Sequence, residues 1–390
     1  MVGNEHPRSS AMEKSKLHEQ LLQLSDFDYP CPQHLIAQEP IPGRSNSKLL
    51  VRRQNSTTED LHVSDLTTEV PGGSLLIFNE SRVFPSRMLG LLPTGGSIEV
   101  FLLSEIGTTE SPSRSIWQAL GRPMKKLKPG VTVHFEPQLS ATVLERYDDN
   151  AGNSLINLEF DMSPSAFTTW LERHGFIPLP PYIKRKKPLK AEASADRDRY
   201  QTVYARQTGS VAAPTAGLHF TEELFECLRS REIGLHFVSL HVGAGTFLPI
   251  KTQNIADHHM HSERYRVGKE TAKAIYQARI SGRKVIAVGT TTFRSLESLY
   301  RKASEDPDKF IELADSWHST NLFLRPTKDG EIYRPWVIDG LFTNFHQPCS
   351  TLFMLIATIV GLEAAKDMYA EAVSKGYRLF SYGDANLIWL

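Results

Sequence analysis

Six short segments that alternate polar and apolar residues follow one another between residues 87 and 160, and this run constrains the fold more than any other feature of the chain. Glycine, proline, aspartate or asparagine separates the segments, and no helical pattern comes between them. Strands spaced in this way predict a small antiparallel β-barrel. The predicted strands are 87–92, 97–103, 116–120, 131–136, 141–147 and 155–160.

Outside this run, helical and strand patterns alternate, which is typical of an α/β layer with a largely parallel sheet. We therefore predict an α/β fold in which a discontinuous α/β domain (25–86 and 163–390) carries an inserted small antiparallel β-barrel (87–162), preceded by a mobile N-terminal extension (1–24). The predicted strands are 75–79, 235–241, 284–288 and one within 333–343, and the predicted helices are 163–174, 221–231, 269–281, 292–303 and 350–375.

The charges of the chain balance, with 44 lysines and arginines against 44 aspartates and glutamates. A protein without net charge would hold a nucleic acid only through local basic clusters. Two clusters occur, although runs of charge are also common on solvated surfaces and both interpretations stay open. The clusters consist of Arg122, Lys125, Lys126 and Lys128, and of Lys184, Arg185, Lys186, Lys187, Lys190, Arg197 and Arg199.

Only three cysteines occur, and no CxxC pair is present. This pattern favours neither a disulfide framework nor a structural zinc site, so we expect a reducing, cytoplasmic location. The longest apolar run, 352–362, is shorter than the ~20 residues that span a bilayer, and residues 1–20 lack the apolar core of a secretory signal. We expect no association with a membrane.

The segment VIAVGTTTFRSLES (285–298) is the clearest site-like element, because an apolar strand ends at Gly289 and a helix then begins. The free N–H groups of a helix start suit a carboxylate or phosphate, and Arg294 could clamp the same anion. We take Thr290, Thr291 and Arg294 as candidate ligand contacts. The alternative is an ordinary threonine cap with a solvated arginine.

The segment FVSLHVGAGTFLP (237–249) places a glycine pair directly after a predicted strand. Pro249 follows within a few residues and no helix begins there, so the context of a dinucleotide-binding loop is missing. The loop can nevertheless bring its backbone close to a ligand. Its candidate ligand contacts are Gly243, Gly245, Thr246 and Phe247, with His241 as a candidate catalytic residue.

Two further segments concentrate histidines. VAAPTAGLHFTEEL (211–224) places His219 just before a helix, and DHHMHSE (257–263) holds three histidines and two acids. The second segment lacks the i,i+4 histidine spacing of a zinc protease, so we favour acid–base chemistry or substrate hydrogen bonding over a metal site. Its candidate catalytic residues are Asp257, His258, His261 and Glu263.

Long sequence blocks are spread over residues 25–390. They are FDYPCPQHLIAQEPIPGRSNSKLLV (27–51), IFNESRVFPSRMLG (77–90), GFIPLPPYI (175–183), YQTVYARQTGSVAAPTAGLHFT (200–221), SLHVGAGTFLPI (239–250), DHHMHSE, VIAVGTTTFRSLE, TNFHQPCSTLFML (343–355) and YRLFSYGDA (377–385). Together, these blocks resemble the S-adenosylmethionine:tRNA ribosyltransferase-isomerase family of queuosine biosynthesis. Departures from the usual family pattern occur at Glu80, at Gln347 and around 325–334.

The resemblance implies that the α/β domain is catalytic and that S-adenosylmethionine is a co-substrate rather than a tightly bound cofactor. It implies transfer and isomerisation of the ribosyl group onto the 7-aminomethyl-7-deazaguanine at the tRNA wobble position, giving epoxyqueuosine, adenine and methionine. We expect no metal and a monomer. The titratable candidates in family-like blocks also include His346 and Asp384. The alternatives from other classes are an S-adenosylmethionine-dependent RNA methyltransferase and a non-catalytic RNA-binding module.

Overall fold

A computed structural model describes residues 22–108, 113–149, 152–185, 190–243, 245 and 250–390. Most of the predicted N-terminal extension lies outside the described residues. Two of the predicted ligand contacts, Thr246 and Phe247, lie outside them as well. Within the described residues, no helix is both long enough and apolar enough to cross a membrane.

In the described part of the chain, nine strands form one mixed sheet. The four central strands are parallel to one another, and each of the two outer ones pairs antiparallel with the next strand of the sheet. On one side, a parallel pair and a last antiparallel strand complete the sheet. The predicted α/β class is confirmed. In order across the sheet, the strands are β15 (His318–Thr320), β13 (Glu263–Val267), β12 (Gly234–Leu240), β3 (Leu75–Asn79), β14 (Val285–Val288), β16 (Gly340–Asn344), β17 (Ala385–Trp389), β1 (Lys48–Arg52) and β2 (Thr58–His62).

Helices cover both faces of this sheet, because its strands are apolar on both sides. In β3, Leu75 and Ile77 face one helical layer, whereas Leu76 and Phe78 face the other. The first layer contains α5, α6, α8 and α9, and the second contains α1 and α4. The helices are α1 (Leu66–Glu69), α2 (Pro164–His174), α3 (Lys190–Arg199), α4 (Glu222–Ser230), α5 (Lys269–Ile280), α6 (Thr290–Lys302), α7 (Pro307–Glu312), α8 (Thr351–Val360) and α9 (Leu362–Ser374).

The six predicted strands of the insertion form a closed antiparallel barrel, which confirms the prediction. Helix α2 packs its apolar side chains into the barrel core. Arg87 at the start of the barrel and Phe176 after α2 exchange two backbone hydrogen bonds of 3.1 and 2.8 Å. The domain boundaries stay a prediction. The strands are β5 (Arg87–Leu91), β6 (Ser97–Thr108), β7 (Ser115–Arg122), β8 (Thr132–Phe135), β9 (Leu139–Asp148) and β10 (Ser154–Phe160).

A two-stranded parallel sheet is separate from both the nine-stranded sheet and the barrel. It pairs β4 (Ser81–Val83), which directly follows β3, with β11 (Gln207–Ser210). After β11, residues 211–220 continue along the sheet as an irregular segment that ends in a short 3-10 helix, Thr215–His219. We call residues 207–220 the edge segment.

Candidate functional site

The carboxyl ends of the central parallel strands form the edge at which a ligand site is expected. Strand β12 follows β3 on one side, whereas β14 joins β3 on the other side, so the strand order reverses between β3 and β14. In open α/β sheets, ligands bind in the crevice outside the strand ends at such a reversal. We refer to this place as the crevice.

The edge segment runs along the carboxyl edge of the sheet and brings the predicted motifs together. Val211 N donates to the Val242 carbonyl over 3.0 Å, beyond the end of β12. A methyl group on Gly289 would lie 3.5 Å from the Cβ of Ala216. Small side chains thus let this backbone pass close to the end of β14.

Asn79, the last residue of β3, ties three elements together. Its Nδ2 donates to the Leu240 carbonyl (3.1 Å) and to Thr291 Oγ1 (3.3 Å), and its Oδ1 accepts from the Ser81 and Leu240 amides. The side chain is buried and connects β3, β12 and the start of α6. Asn79 is not among the candidate residues of the sequence motifs. A polar residue that closes the apolar run LLIFN was the available signal.

Helix α6 begins at the crevice, two residues earlier than predicted. Gly289, with φ +91°, is its N-cap and provides no side-chain cap. The first amides of a helix have no partner within the helix, and the helix dipole makes this end positive. The predicted contacts Thr290 and Thr291 stand in this first turn. The arrangement suits an anion.

Glu263 and Arg294 form a buried ion pair beside the glycine loop. The distance from Arg294 Nη1 to Glu263 Oε2 is 2.5 Å, and both side chains are 5% exposed. The other carboxylate oxygen of Glu263 accepts from Gly243 N over 3.0 Å, and Arg294 Nε donates to the Leu322 carbonyl over 3.3 Å. Arg294 is therefore neither solvated nor paired with Glu297. Its predicted contact with a ligand stays a prediction.

His241 follows β12, and its ring is enclosed by neighbouring groups. The imidazole stacks on Trp317 at 4.9 Å between ring centroids, and a methyl group on Gly209 would lie only 2.7 Å from its Cε1. The Nδ1 atom is buried and has no hydrogen-bond partner among the described residues. Burial, and then the charge of Arg264, lowers the pKa of His241 below its usual value. The ring is therefore neutral at pH 7 and can accept a proton.

His219 belongs to the edge segment and is buried against the end of β16. Its Nδ1 lies 2.9 Å from Ser47 Oγ, and its Nε2 accepts from Asn344 Nδ2 at 3.1 Å. Burial, followed by the charge of Arg378, lowers the pKa of His219 to about 3. With both nitrogens occupied and the ring neutral, this histidine holds the residue before β1 and the last residue of β16 to the edge segment.

The segment DHHMHSE lies beside the glycine loop. Gly245 approaches the His261 ring so closely that a methyl group on it would lie 2.3 Å from His261 Cδ2. His258 contacts the Phe323 ring edge-on, and burial lowers its pKa, with a smaller effect from the neighbouring histidines. Asp257 is exposed. In the portion of the chain described here, no three histidine, cysteine or acidic side chains are grouped to hold a metal.

The two basic clusters differ in how their charges are used. Arg122, Lys125, Lys126 and Lys128 are all exposed, at the end of β7 and in the turn that follows. In the second cluster, Arg185 pairs with Asp196 at 2.7 Å, and Arg197 and Arg199 donate to backbone carbonyls, whereas Lys184 is exposed. Lys186 and Lys187 lie outside the described residues. Among the described residues, the cluster on the barrel therefore offers more exposed charges to a partner than the second cluster does.

Comparisons with known proteins agree on one family. A family model described as "Queuosine biosynthesis protein" matches residues 24–388. The S-adenosylmethionine:tRNA ribosyltransferase-isomerase of Rhodospirillum rubrum is 42% identical over 93% of this chain and 96% of its own length. The enzyme of that name from Anaeromyxobacter sp. is 41% identical over 94% of this chain and 99% of its own length.

Among solved structures, the crystal structure of an S-adenosylmethionine tRNA ribosyltransferase from Thermotoga maritima is similar to this chain. It is 30% identical over 93% of this chain and 99% of its own, with a TM-score of 0.48. The match to the family model and the identity to the curated relatives extend over nearly the whole chain. The chain therefore belongs to the S-adenosylmethionine:tRNA ribosyltransferase-isomerase family of queuosine biosynthesis.

Proposed function

We propose that this chain transfers the ribosyl group of S-adenosylmethionine to the 7-aminomethyl-7-deazaguanine at the tRNA wobble position and isomerises it, giving epoxyqueuosine-tRNA, adenine and methionine. The observation that carries this proposal is the identity of 41–42% to enzymes of that name over more than nine-tenths of the chain. The alternatives, a methyltransferase and a non-catalytic RNA-binding module, receive no support from these relatives.

The reaction sets three requirements on the site. A base removes a proton from the ribose carbon next to the sulfonium, whose positive charge acidifies that position. Adenine takes up a proton as it leaves, and the amine of the tRNA base attacks in its neutral form. These steps need two or three titratable groups near the ligand.

S-adenosylmethionine binds in the crevice in this proposal, with its methionine carboxylate at the start of α6. The amides of Thr290 and Thr291, which have no partner within the helix, are the donors, and a helix start contributes ~0.3–1 kcal/mol to such an anion. The glycine loop passes along the ribose through Gly243 and Gly245, with Thr246 and Phe247 as further proposed contacts. Arg294 holds Glu263, which fixes the Gly243 amide, so its main effect on the ligand is through the loop.

His241 is the proposed proton acceptor. It lies two residues before Gly243, its ring orientation is fixed by Trp317, and its lowered pKa keeps it neutral. His219 has both nitrogens in use and is assigned a structural role. Asp257, His258 and His261 remain proposed candidates for the proton that adenine takes up, since their segment packs against the glycine loop.

The RNA is held in this proposal by the exposed cluster on the barrel, because none of its four side chains forms an ion pair with a described acid. We propose a monomer that acts in the cytoplasm. The three cysteines, which are free thiols, agree with a reducing compartment.

The decisive experiment supplies S-adenosylmethionine and tRNA that carries the deazaguanine, with the same tRNA bearing guanine as the control. We expect adenine in a one-to-one ratio with an epoxyqueuosine nucleoside after digestion. Methylated tRNA without adenine release would overturn the proposal. His241→Gln should bind S-adenosylmethionine normally yet release adenine at least 100-fold more slowly. An unchanged rate would exclude His241 as the base.

A further inference from the structure

A cavity of about 350 Å³ lies where the barrel meets the α/β domain, and no step described so far uses it. Its lining includes Arg82 and Val83 of β4, Glu172 of α2 and Asp198 of α3. Arg82 stands three residues after Asn79, and three residues of backbone span at most ~11 Å. The cavity therefore lies next to the crevice.

The walls of the cavity are apolar and its rim is polar. Val83, Pro85, Ile177 and Val203 contribute apolar surface, and Val203 is 42% exposed although it is aliphatic. Such a lining favours a flat ring system that buries its faces and presents polar atoms at its edges.

The polar groups still available at this cavity are the carboxylates of Asp198 and Glu172, the hydroxyl of Thr202 and the half-exposed guanidinium of Arg82. Arg44 and Arg197 donate to backbone carbonyls and are already used. The carboxylate of Asp198 accepts no hydrogen bond and no ion pair from the described residues. Glu172 forms an ion pair with Arg82 at 3.7 Å, which is too long for a direct hydrogen bond, so its carboxylate can still accept from a ligand. Thr202 is 4% exposed, and its hydroxyl has no partner within the described chain.

Resting on the proposed function, we propose that this cavity takes the flipped-out wobble base and that Asp198 and Glu172 read its donor edge. A guanine-type base presents a ring N–H and an exocyclic amine on its Watson–Crick edge, and carboxylates accept from both. Enzymes that act on a base commonly turn it out of the stack into such a pocket. An adenine-type base has a ring acceptor where a guanine-type base has its N–H, so it would place that acceptor against a carboxylate oxygen.

The test is a double cycle that combines a protein change with a base change. The proteins are wild type, Asp198→Asn and Glu172→Gln, with Glu226→Gln, an exposed acid on α4, as the matched control. The RNAs are anticodon stem-loops that carry the deazaguanine with or without its 2-amino group. We measure their dissociation constants directly, so that the readout does not require turnover.

For wild type, we expect removal of the 2-amino group to weaken binding by ten- to a hundred-fold. Asp198→Asn or Glu172→Gln should weaken binding of the complete base by a similar factor and discriminate less between the two bases. Affinity for S-adenosylmethionine should not change. The proposal would be overturned if the protein change and the base change weakened RNA binding independently, so that their two factors simply multiply. It would also be overturned if Asp198→Asn and Glu172→Gln bound both RNAs as tightly as Glu226→Gln does.

A second variant covers the apolar wall. Val203→Trp fills the cavity from its exposed side and should weaken RNA binding while S-adenosylmethionine still binds; unchanged RNA binding would also count against the proposal. Absence of adenine release by wild type would refute the proposed function separately, because the cycle measures binding alone.

Discussion

At the scale of single residues, the ion pair between Arg294 and Glu263 has the largest effect on stability that we expect at the site. Arg294→Ala leaves a buried carboxylate without its cation, and breaking such a pair costs ~3–5 kcal/mol. We expect that loss in the free energy of unfolding measured with urea. Lys366→Ala, which breaks an exposed pair of 3.9 Å with Glu363, is the control and should change stability by less than ~1 kcal/mol.

The same variant separates the two roles of Arg294. If the arginine acts by holding the loop, Glu263→Gln, which keeps an acceptor for Gly243 N, should restore much of the stability lost in the Arg294→Ala background. If it binds the ligand directly, stability returns while affinity for S-adenosylmethionine stays ten- to a hundred-fold low. A loss of less than ~1 kcal/mol in Arg294→Ala would contradict the buried pair.

At the scale of elements, the glycine loop offers two alanine substitutions with opposite expected effects. A methyl group on Gly245 collides with His261, so Gly245→Ala should lower stability by ~1–3 kcal/mol. A methyl group on Gly243 meets no described atom within 4 Å, so Gly243→Ala should leave the melting temperature unchanged. Because that methyl group would enter the proposed ligand space, affinity for S-adenosylmethionine should fall about tenfold, as calorimetry can show. Equal effects of the two substitutions would argue against this loop geometry.

Local sequence patterns predict the elements that are strongly periodic. The barrel strands, β3 and the helices in the second half of the chain are predicted correctly, because their apolar residues recur with period 2 or 3.6. The pattern does not reveal β1 and β17, whose pairing joins residues more than 300 positions apart. It also misses α3, a polar helix with no apolar stripe that would distinguish it from a charged connector.

In the candidate site, too, the sequence predicts the residues that stand in local motifs and misses those that depend on long-range contacts. His241, Glu263 and Thr291 stand in visible motifs, and the structure brings them to one edge of the sheet. Asn79 and the cavity beside Asp198 could not be predicted, because each depends on contacts between distant segments. The burial of Arg294 was missed for a simpler reason: a sequence does not show which face of α6 is covered.

At the scale of the whole molecule, His219 makes stability depend on pH. Its pKa is about 3 when folded and ~6.5 when unfolded, so the unfolded chain binds the extra proton. This contribution is fully present above pH ~6.5 and falls by up to ~1.4 kcal/mol per pH unit as the pH drops towards 3. Urea unfolding from pH 7 to 4 should give a shallower slope for His219→Gln than for wild type. Parallel slopes would show that His219 is accessible to protons in the fold.

RNA affinity also depends on how charge is distributed over the whole molecule. The net charge is zero, so binding to phosphates must come from local basic clusters. Replacing Lys125, Lys126 and Lys128 by alanine should weaken tRNA binding and reduce the slope of log affinity against log salt by about one unit per lost contact. Replacing Lys302 and Lys366 by alanine controls for the loss of charge elsewhere. A slope that stays at the wild-type value would mean that the barrel lysines do not meet phosphates.

The bridge between Arg87 and Phe176 has a consequence for protein engineering. The chain leaves for the barrel and returns at two residues that are hydrogen-bonded to each other, and such antiparallel partners lie only ~5.5 Å apart at Cα. A tight turn grafted between them could replace the barrel together with α2, and neither flank would have to move. The insertion is thus a cassette that could be exchanged for another module whose two ends lie side by side.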